Sequence, residues 1–451
     1  MTIEAVEMTM CPNAFEIAEQ VRNRARTAIS VTEEALHAIA AKNGKINAFT
    51  TITAERARKR AREIDKLIAS GKDPGALAGV PFAAKDLFDI EAVVTKAGSK
   101  ILASNPPAEQ DAAAILALEQ AGAVLVGALN MEEFAYGFLT DNAHYGPTRN
   151  PLDLQRTAGG SSGGTAAAVA SGMVPLALGT DTNGSIRVPA SFCGVVGMKP
   201  TFGCVDRTGM VPLAPSQDHV GWIGNCVEDV ALAWRVLGRG AERAEKQAAP
   251  VVAVAGGYFA ERMTEDVRKA MATAREHLDV RRTVEIPCPD VARAASYAIT
   301  SSEASALRLG DLRDRPEQLD PSTRYRFLAG ALLPAAWYIK GKRFQAWFRT
   351  QMEHLFKDVD VLLLPASPFV APRFGDESTE IEGASYPVRP TIGRFTQPIS
   401  SAGLPIVCLP VPGASRLPIG VQLVGPPNRE DLVLAAALKL ERSLAKSRPG
   451  E

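Results

Sequence analysis

The chain of 451 residues carries 50 Lys and Arg against 50 Asp and Glu, so its formal net charge is +0 at pH 7, and 46% of its residues are hydrophobic. These proportions are typical of a soluble globular enzyme. Because binding to nucleic acid or to a membrane surface depends on a basic excess, the balance argues against both as partners. The sequence also shows no secretory signal pattern and no apolar run as long as a membrane span.

The cysteines and histidines indicate a reducing environment without a bound metal. The six cysteines are scattered with no CxxC pair, and none of the five histidines has the spacing of metal ligands. We expect buried thiols in a cytoplasmic protein, and neither a metal site nor a cofactor. The cysteines are Cys11, Cys193, Cys204, Cys226, Cys288 and Cys408.

The first 75 residues are predicted to form helices that wrap the outside of a core. In the second of these helices Leu36, Ile39 and Ala40 are expected to share the buried face. The first dozen residues are expected to be disordered. The predicted elements are helices at residues 14–28, 32–41 and 55–69 and an extended piece at 48–50.

A sheet covered by helices is predicted from residue 79 onward. Strands are expected at residues 80–84 and 123–129, with a helix at 110–120 between them, and Asn130 is expected to cap a further helix. The second strand has no polar residue, which is typical of a strand buried on both faces. Strand–helix–strand spacing of this kind indicates an α/β fold.

Two loops of glycine and serine come after these elements. Residues 159–164 read Gly-Gly-Ser-Ser-Gly-Gly, and glycine inside a helix or strand costs roughly 1 kcal/mol relative to alanine, so a loop that passes close to something is predicted. A helix at 165–171 that ends at Gly172 and a strand at 174–178 come next. Residues 179–185 form the second predicted loop, in which Asn183-Gly184 suits a positive φ.

The remainder of the chain predicts a mixture of helices and strands. The stretch 203–225 is expected to be loop-rich and 239–249 to be an exposed connection. The aromatic stripe of Phe344, Trp347, Phe348, Leu355 and Phe356 indicates packing into the core rather than a ligand site. The predicted elements are helices at 227–237, 264–278, 292–309, 323–340, 342–357 and 432–444 and strands at 251–255, 359–364 and 420–424, with the helices at 292–309 and 323–340 facing a substrate pocket.

Hydroxyl groups on two tight loops, with glycine N–H groups beside them, suit a serine nucleophile and an oxyanion hole. Such a nucleophile needs a base, and no histidine lies in this segment. Lys85 is the best candidate, because it follows the apolar residues 80–84 and desolvation lowers a lysine pKa. The alternative for Lys85 is an ordinary salt bridge with Asp86.

Two other interpretations of the glycine loop are rejected. It fits G-x-S-x-G twice, but an α/β-hydrolase elbow needs an apolar strand before it and a later histidine. Residues 150–158 before the loop are polar and turn-like, and His219 is the only later histidine with polar neighbours on a loop. A phosphate-binding loop is disfavoured because no Gly-Lys-Ser/Thr follows.

These segments resemble the amidase signature hydrolases. The resemblance implies one domain over residues 1–451, with one large mixed β-sheet covered on both faces by α-helices. Within it, residues 1–75 wrap the core, 79–235 form the catalytic core, and 250–445 supply the pocket helices and the remaining strands. The similar segments are residues 79–89, 98–99, 121–130, 146–151 and nearly all of 159–203, with a weak continuation to the C-terminus.

The resemblance also implies roles for individual residues. Ser185 is the expected nucleophile, Ser161 the bridging serine, usually on a cis peptide bond, and Lys85 the base. The oxyanion hole is expected from the backbone N–H groups of Thr182, Asn183, Gly184 and Ser185. Asp181 is expected to tie down the nucleophile loop, and Arg187 to be a structural ion-pair partner.

One departure points to a branch of the family. Most members have glycine where this chain has Asn183, and the sequence around it resembles the carboxybiuret hydrolases of biuret degradation. That branch implies a small amide or ureido acid as substrate and a short helical companion subunit; a homodimer is left open. Residues proposed to contact the substrate are Tyr136, His144, Ser162, Arg324 and Arg326, the two arginines as cations for an anionic substrate.

Two alternatives remain open. The chain could be the amidase (glutaminase) subunit of a tRNA-dependent amidotransferase, which Asn183 and the neutral charge disfavour. It could also be a scaffold without activity, which the presence of Lys85, Ser161 and Ser185 together disfavours.

Overall fold

The computed structural model describes residues 13–239, 250–412 and 416–447. The helices are α1 Ala14–Arg22, α2 Ala28–Ile46, α3 Ala54–Ala69, α4 Ala113–Gln120, α5 Gly163–Ala170, α6 Arg187–Cys193, α7 Val227–Leu237, α8 Glu265–His277, α9 Pro289–Asp314, α10 Pro321–Ala331, α11 Ala335–Leu355, α12 Val388–Ile392, α13 Gln397–Ser400 and α14 Glu430–Lys446. The strands are β1 Phe49–Ile52, β2 Pro81–Lys85, β3 Val124–Leu129, β4 Asp141–Asn142, β5 Gly146–Pro147, β6 Arg149–Asn150, β7 Asp153–Thr157, β8 Leu176–Asp181, β9 Val196–Lys199, β10 His219–Gly224, β11 Val252–Ala255, β12 Arg282–Val284, β13 Val361–Pro365, β14 Ser378–Ile381, β15 Ala384–Pro387, β16 Ile406–Val411 and β17 Ile419–Val424.

One mixed sheet of eleven strands forms the centre of the molecule, in the order β1-β3-β2-β8-β10-β9-β16-β17-β13-β11-β12. Strand β2 runs parallel to β3 and β8, strand β11 runs parallel to β12 and β13, and the other pairs are antiparallel. Every residue of β3, β8 and β10 is buried, because helices cover both faces. The predicted α/β fold with one large mixed sheet is confirmed; its description as a single domain stays a prediction.

Strands β2 and β8 position the site. They are parallel neighbours in which Ala84 lies beside Leu178. Strand β2 ends at Lys85 and β8 ends at Asp181. Because the carboxyl ends of parallel strands meet at one edge of the sheet, the lysine and the loop after β8 are brought together there.

The N-terminal helices differ from the prediction in their bounds, since the helix predicted over residues 32–41 runs over Ala28–Ile46, and in one buried residue. The helix predicted over residues 14–28 ends at Arg22, because Arg24 takes a left-handed conformation with φ 59° and the side chain of Thr27 caps a new helix, α2. Ala40, expected on the buried face of α2, is exposed, since it lies about 100° around the helix from the buried residue before it.

The prediction for the region between β2 and β3 also needs correction. The helix predicted over residues 110–120 begins at Ala113, because the carboxylate of Asp111 is held outside the helix by Arg56, 2.5 Å away. Asn130 does not cap a helix. Its side-chain amide donates to two backbone carbonyls, and the chain continues only as a turn of 3-10 helix at Glu133–Ala135.

The second predicted loop, residues 179–185, begins late because β8 continues to Asp181 against β10. Strand β10 lies inside the stretch 203–225 that was predicted to be loop, and β9 and β16 were not predicted either. Strand β10 is difficult to predict because it contains glycine, which disfavours strands. Its close packing nevertheless requires glycine at position 221, since a Cβ on Gly221 would lie 2.7 Å from the carbonyl oxygen of Met198.

Helices α10 and α11 divide the chain differently from the prediction. The helix predicted over residues 323–340 is interrupted at Pro334, and α11 absorbs the helix predicted at 342–357. Phe348 of the aromatic stripe is buried as expected, but Trp347 is 42% exposed, because α11 packs by one face only.

Two sets of expectations concern the chain ends and the thiols. The structure does not describe residues 1–12 and 240–249, and therefore not Cys11, so the disordered start and the exposed connection stay predictions.

The thiols differ in their burial. Cys193 and Cys408 are buried, whereas Cys204 and Cys226 are half-buried and Cys288 is exposed at the residue before α9. The expectation of buried thiols was therefore wrong for three of these cysteines.

Candidate active site

The site is built from the end of β2, the glycine loop at residues 159–164 and the loop that follows β8. The peptide bond between Gly160 and Ser161 is cis, as the resemblance implied. Helix α5 begins at Gly163, two residues earlier than predicted. A Cβ on Gly164 would lie 2.4 Å from the carbonyl oxygen of Asn130, so the first turn of this helix needs glycine in order to pack against the backbone after β3.

The Lys85 ammonium group lies in a buried cluster of hydroxyl groups. Its Nζ lies 2.7 Å from Ser161 Oγ, 2.9 Å from Ser162 Oγ and 2.9 Å from Thr180 Oγ1. Burial lowers the pKa of Lys85 to about 7, although the negative charges of Asp181 and other acids act in the opposite direction. The expectation of a desolvated lysine agrees with this environment.

The hydrogen bonds of Ser162 fix which way the lysine points. The Ser162 hydroxyl donates to the carbonyl oxygen of Thr180, 3.1 Å away, so it must accept from Lys85. A neutral amine has two N–H bonds and one lone pair. When these N–H bonds go to Ser162 and Thr180, the lone pair faces the Ser161 hydroxyl.

The alternative of a salt bridge between Lys85 and Asp86 is wrong. The Asp86 carboxylate accepts a hydrogen bond from Thr50 and lies 3.6 Å from the ammonium of Lys96. Its side chain therefore belongs to a different cluster, and no carboxylate contacts Lys85 among the residues that the structure describes.

Asp181 and Arg187 hold the second loop in place. Both side chains are fully buried, and Asp181 Oδ1 lies 2.8 Å from Arg187 Nη2. The carboxylate also accepts from the N–H groups of Gly184 and Ile186. Burial raises the pKa of Asp181, but the charge and hydrogen bonds of Arg187 outweigh burial and hold it well below its ordinary value. The predicted structural ion pair is confirmed.

The expected set of oxyanion donors changes by one residue. The N–H of Gly184 is already bonded to Asp181, 2.8 Å away, so it is not available to a substrate. Among the described residues, the N–H groups of Thr182, Asn183 and Ser185 have no hydrogen-bond acceptor. These three can point at a reacting carbonyl oxygen.

Ser185 opens into a cavity of about 700 Å³. Lys85, Ser161 and Ser162 do not line the cavity; they lie buried behind its wall. The hydroxyl of Ser185 has no hydrogen-bond partner within the described residues, Ser161 included. The walls come from residues 135–139, the loop after β8, helix α9, the junction of α10 and α11, and the segment around α12 and α13.

Tyr136 and Arg326 lie at the cavity as predicted, and Arg324 does not. The Tyr136 hydroxyl donates to Ser301, 2.8 Å away, and burial raises its pKa to about 12. Arg326 donates to the backbone carbonyl of Tyr136. Arg324 is directed away from the cavity and lies over the exposed ring of Tyr325, because side chains two positions apart on a helix point about 200° apart.

His144 and Ser162 lie outside the cavity lining as well. His144 Nε2 lies 3.1 Å from the buried carboxylate of Glu133, and desolvation by burial lowers the pKa of His144. Ser162 contacts Lys85 instead of open space. Their predicted role as direct substrate ligands therefore has no support in the geometry.

Sequence reasoning missed two arginines of the cavity wall, Arg293 and Arg389. Arg293 Nε donates to Gln397, 2.8 Å away, and its Nη2 donates to the carbonyl of Pro390. A basic residue on a helix expected to face the pocket was the available signal for Arg293. Arg389 had no such signal, because helix α12, on which it lies, has only five residues and shows no periodicity.

The interpretation of the glycine loop as an α/β-hydrolase elbow is still rejected, but the reason differs from the one given by the sequence. Short strands β6 and β7 do precede the glycine loop, contrary to the turn-like prediction, but they form a separate two-stranded hairpin. His219 lies on β10, where its Nδ1 contacts the carbonyl of Asp181 and burial holds its pKa well below the ordinary value.

Neither a metal cluster nor a membrane-spanning helix is found in the part of the chain that the structure describes. No group of three or more His, Cys, Asp or Glu side chains in residues 13–239, 250–412 and 416–447 could hold a metal ion. In the same residues no helix has both the length and the apolar character needed to cross a membrane.

Comparison with known proteins identifies similar amidases by family model, by sequence and by structure. A family model named Amidase matches residues 30–434. The 1-carboxybiuret hydrolase subunit AtzE of Pseudomonas sp. (strain ADP) is 47% identical over 445 residues, which cover 94% of this chain and 97% of that protein. A glutamyl-tRNA(Gln) amidotransferase subunit of Moorella thermoacetica is 36% identical over 475 residues, covering 95% and 96%. A solved structure, described as a vestigial protein complex that reveals the origins of an s-triazine catabolic enzyme, matches with a TM-score of 0.92 at 45% identity and covers 96% of this chain and 98% of its own.

Proposed function

The chain belongs to the amidase signature family and is an amidohydrolase acting on carbon–nitrogen bonds other than peptide bonds, and from this premise we propose that it cleaves a small carboxylated amide or ureide similar to carboxybiuret through an acyl-enzyme on Ser185. The observation that carries the proposal is a cavity lined by both Ser185 and arginines, with a buried lysine in contact with a second serine nearby.

The proposed chemistry is a proton relay. Neutral Lys85 accepts the proton of Ser161, which accepts the proton of Ser185 once the Ser185 hydroxyl turns toward Ser161, while Ser185 Oγ bonds to the carbonyl carbon. The N–H groups of Thr182, Asn183 and Ser185 stabilise the negative oxygen, a contribution of roughly 3 kcal/mol per donor. The proton returns through Ser161 to the leaving nitrogen as the C–N bond breaks, and water hydrolyses the acyl-enzyme by the same route.

The charges of the cavity wall support a carboxylated substrate. Three arginines and one aspartate line it. Glu132 lies 3.9 Å from both Arg326 and Arg389 and partly neutralises them. Among the described residues, the guanidinium of Arg293 contacts neutral acceptors only. A guanidinium without an acidic partner in a partly desolvated cavity favours binding of a carboxylate.

The test is a panel of amides that differ in charge. Release of ammonia would be measured for carboxybiuret, other ureido acids, glutamine and neutral amides, with the wild type and with Ser185→Ala. We expect turnover of carboxylated substrates by the wild type and none by the variant, whose circular dichroism should be unchanged. Retained turnover by Ser185→Ala would end the proposal.

The amidase subunit of an amidotransferase remains the second candidate function, because 36% identity to such a protein extends over 95% of the chain. That function predicts ammonia release from glutamine and a stable complex with a tRNA-binding partner. Glutamine in the panel therefore separates the two candidates.

We also propose a small helical companion subunit. It is supported by the similarity to a protein named as a subunit and to a structure described as a complex. It is supported as well by residues 321–352, which contain six Lys or Arg and no Asp or Glu, and which expose Tyr325, Leu332 and Trp337. An acidic amphipathic helix would complement this surface. Light scattering of the chain alone and with a co-expressed small helical protein tests it, and an unchanged mass in the presence of that protein would be the contrary result.

A further inference from the structure

Four buried side chains form a closed ring of hydrogen bonds beside the nucleophile loop. Asn183 Nδ2 donates to Thr300 Oγ1 at 2.9 Å, and Thr300 Oγ1 donates to Gln217 Oε1 at 2.6 Å. Gln217 Nε2 donates to Ser296 Oγ at 3.3 Å, and Ser296 Oγ donates to Asn183 Oδ1 at 2.6 Å. Each member donates once and accepts once around the ring, so every bond runs in the same sense.

The ring joins three separate parts of the chain. Asn183 belongs to the nucleophile loop, Ser296 and Thr300 lie one turn apart on α9, and Gln217 lies in the turn before β10. All four side chains are buried, and Ser296 is completely so. Because each hydrogen bond polarises the next in a buried environment, a complete ring holds its members more firmly than separate bonds would.

The ring uses the oxygen and one of the two N–H bonds of the Asn183 amide. The Asn183 carbonyl oxygen accepts from Thr396, 2.7 Å away. The backbone N–H and the second side-chain N–H of Asn183 have no acceptor among the described residues. Because its oxygen and one N–H are held in the ring, the side chain is suited to fix the backbone of the nucleophile loop.

We propose that Asn183 is a positioning residue, whose side chain, held by Ser296, Thr300 and Gln217, fixes the N–H groups of Asn183 and Ser185 at the position of the developing oxyanion. The proposal rests on the proposed function, in which these N–H groups stabilise the transition state. Helix α9 also carries Arg293, one turn before Ser296, so the same helix orients the substrate carboxylate and the donors that act on its carbonyl.

The ring and the substrate site can be separated by mutation. Asn183 and Thr300 line the cavity and Ser296 does not, so Ser296→Ala tests the ring without changing the cavity wall. Thr300→Val removes a hydroxyl at nearly constant volume, and Thr300→Ser is its matched partner, because it keeps the hydroxyl. A misplacement of about 1 Å at a reacting centre can cost about 100-fold in rate.

The experiment measures kcat, KM and the rate at which a fluorophosphonate probe labels the serine. We expect Asn183→Ala, Ser296→Ala and Thr300→Val to lower kcat and the labelling rate by roughly 10- to 100-fold with KM within about twofold. Thr300→Ser should recover most of the loss. The double variant Asn183→Ala/Ser296→Ala should be no slower than Asn183→Ala, because both break the same ring.

The outcomes distinguish this inference from the proposed function. Turnover by Ser185→Ala would refute the proposed function, regardless of the results for the ring variants. An inactive Ser185→Ala together with normal kcat and labelling in Ser296→Ala and Thr300→Val would overturn the ring alone. Variants that melt earlier but keep kcat would show that the ring serves only folding, and this too would overturn the proposal. If Asn183→Ala does not fold, the Ser296 and Thr300 variants decide.

Discussion

Removing the charge of Asp181 while keeping its shape is expected to destabilise the protein severely. In Asp181→Asn, the guanidinium of Arg187 would stay fully buried without its carboxylate, whose oxygens lie 2.8 and 2.9 Å from it. Breaking a buried ion pair in this way typically costs about 3–5 kcal/mol of unfolding free energy. The N–H groups of Gly184 and Ile186 also lose a charged acceptor.

The assay is urea unfolding followed by circular dichroism, at pH 8. Arg187→Met serves as the companion variant, since it leaves the carboxylate buried and unpaired. The double variant Asp181→Asn/Arg187→Met leaves no unpaired charge, so its loss should be smaller than the sum of the two single losses by about 2 kcal/mol or more. Strict additivity, or a loss below about 1 kcal/mol in Asp181→Asn, would refute the view that this ion pair holds the loop.

Asp181→Asn has a second expected effect, on the base. The negative charge of Asp181 is the largest influence that opposes the lowering of the Lys85 pKa. Its removal should lower that pKa further, so the acidic limb of the pH profile of kcat/KM should move to lower pH. A limb that stays in place would indicate that the observed ionisation belongs to another group.

Three further predictions address the base and the cavity. In the wild type, kcat/KM should rise with pH through about 7 and then level off, because Lys85 acts as a base only after it loses its proton; a profile that falls over this range would contradict the assignment. Ser162→Ala should lower kcat by about tenfold or more with little change in KM, because Lys85 loses the acceptor that directs its lone pair toward the bridging serine; steady-state kinetics at pH 8 checks this. Arg293→Gln should raise KM for a carboxylated substrate about 10- to 100-fold and leave a neutral amide unaffected, since a hydrogen bond to a charged group is worth about 1.5–3 kcal/mol. Arg324→Gln, outside the cavity, is the matched control, and an equal effect of both changes would contradict the assignment.

The parts of the site that depend on local sequence were predictable. Two loops rich in glycine and serine and a lysine after an apolar strand are local patterns with a direct chemical meaning, and the structure brings Lys85 and Ser161 together across 76 positions of sequence. The end of β8 was harder, because Gly179 disfavours a strand locally and only pairing with β10 supports one.

The residues that line the cavity could not all be predicted, because their positions depend on information that a single sequence does not carry. Arg324 and Arg326 are indistinguishable by composition, and only the rotation of α10 decides which of them reaches the cavity. Arg389 lies more than 200 positions after Ser185 in the sequence, on the five-residue helix α12, which is too short to show a periodicity. The ring around Asn183 likewise requires Gln217, Ser296 and Thr300 to converge from distant segments.

The central claim is that buried, neutral Lys85 activates Ser185 through Ser161. The most direct measurement is the rate and location of fluorophosphonate labelling, followed by peptide mass spectrometry, in the wild type and in Lys85→Met and Ser161→Ala. The account predicts one adduct, on the peptide that contains Ser185, and at least a roughly 100-fold slower reaction in both variants. Labelling of another residue, or labelling of Ser185 at the wild-type rate when Lys85 is methionine, would contradict it.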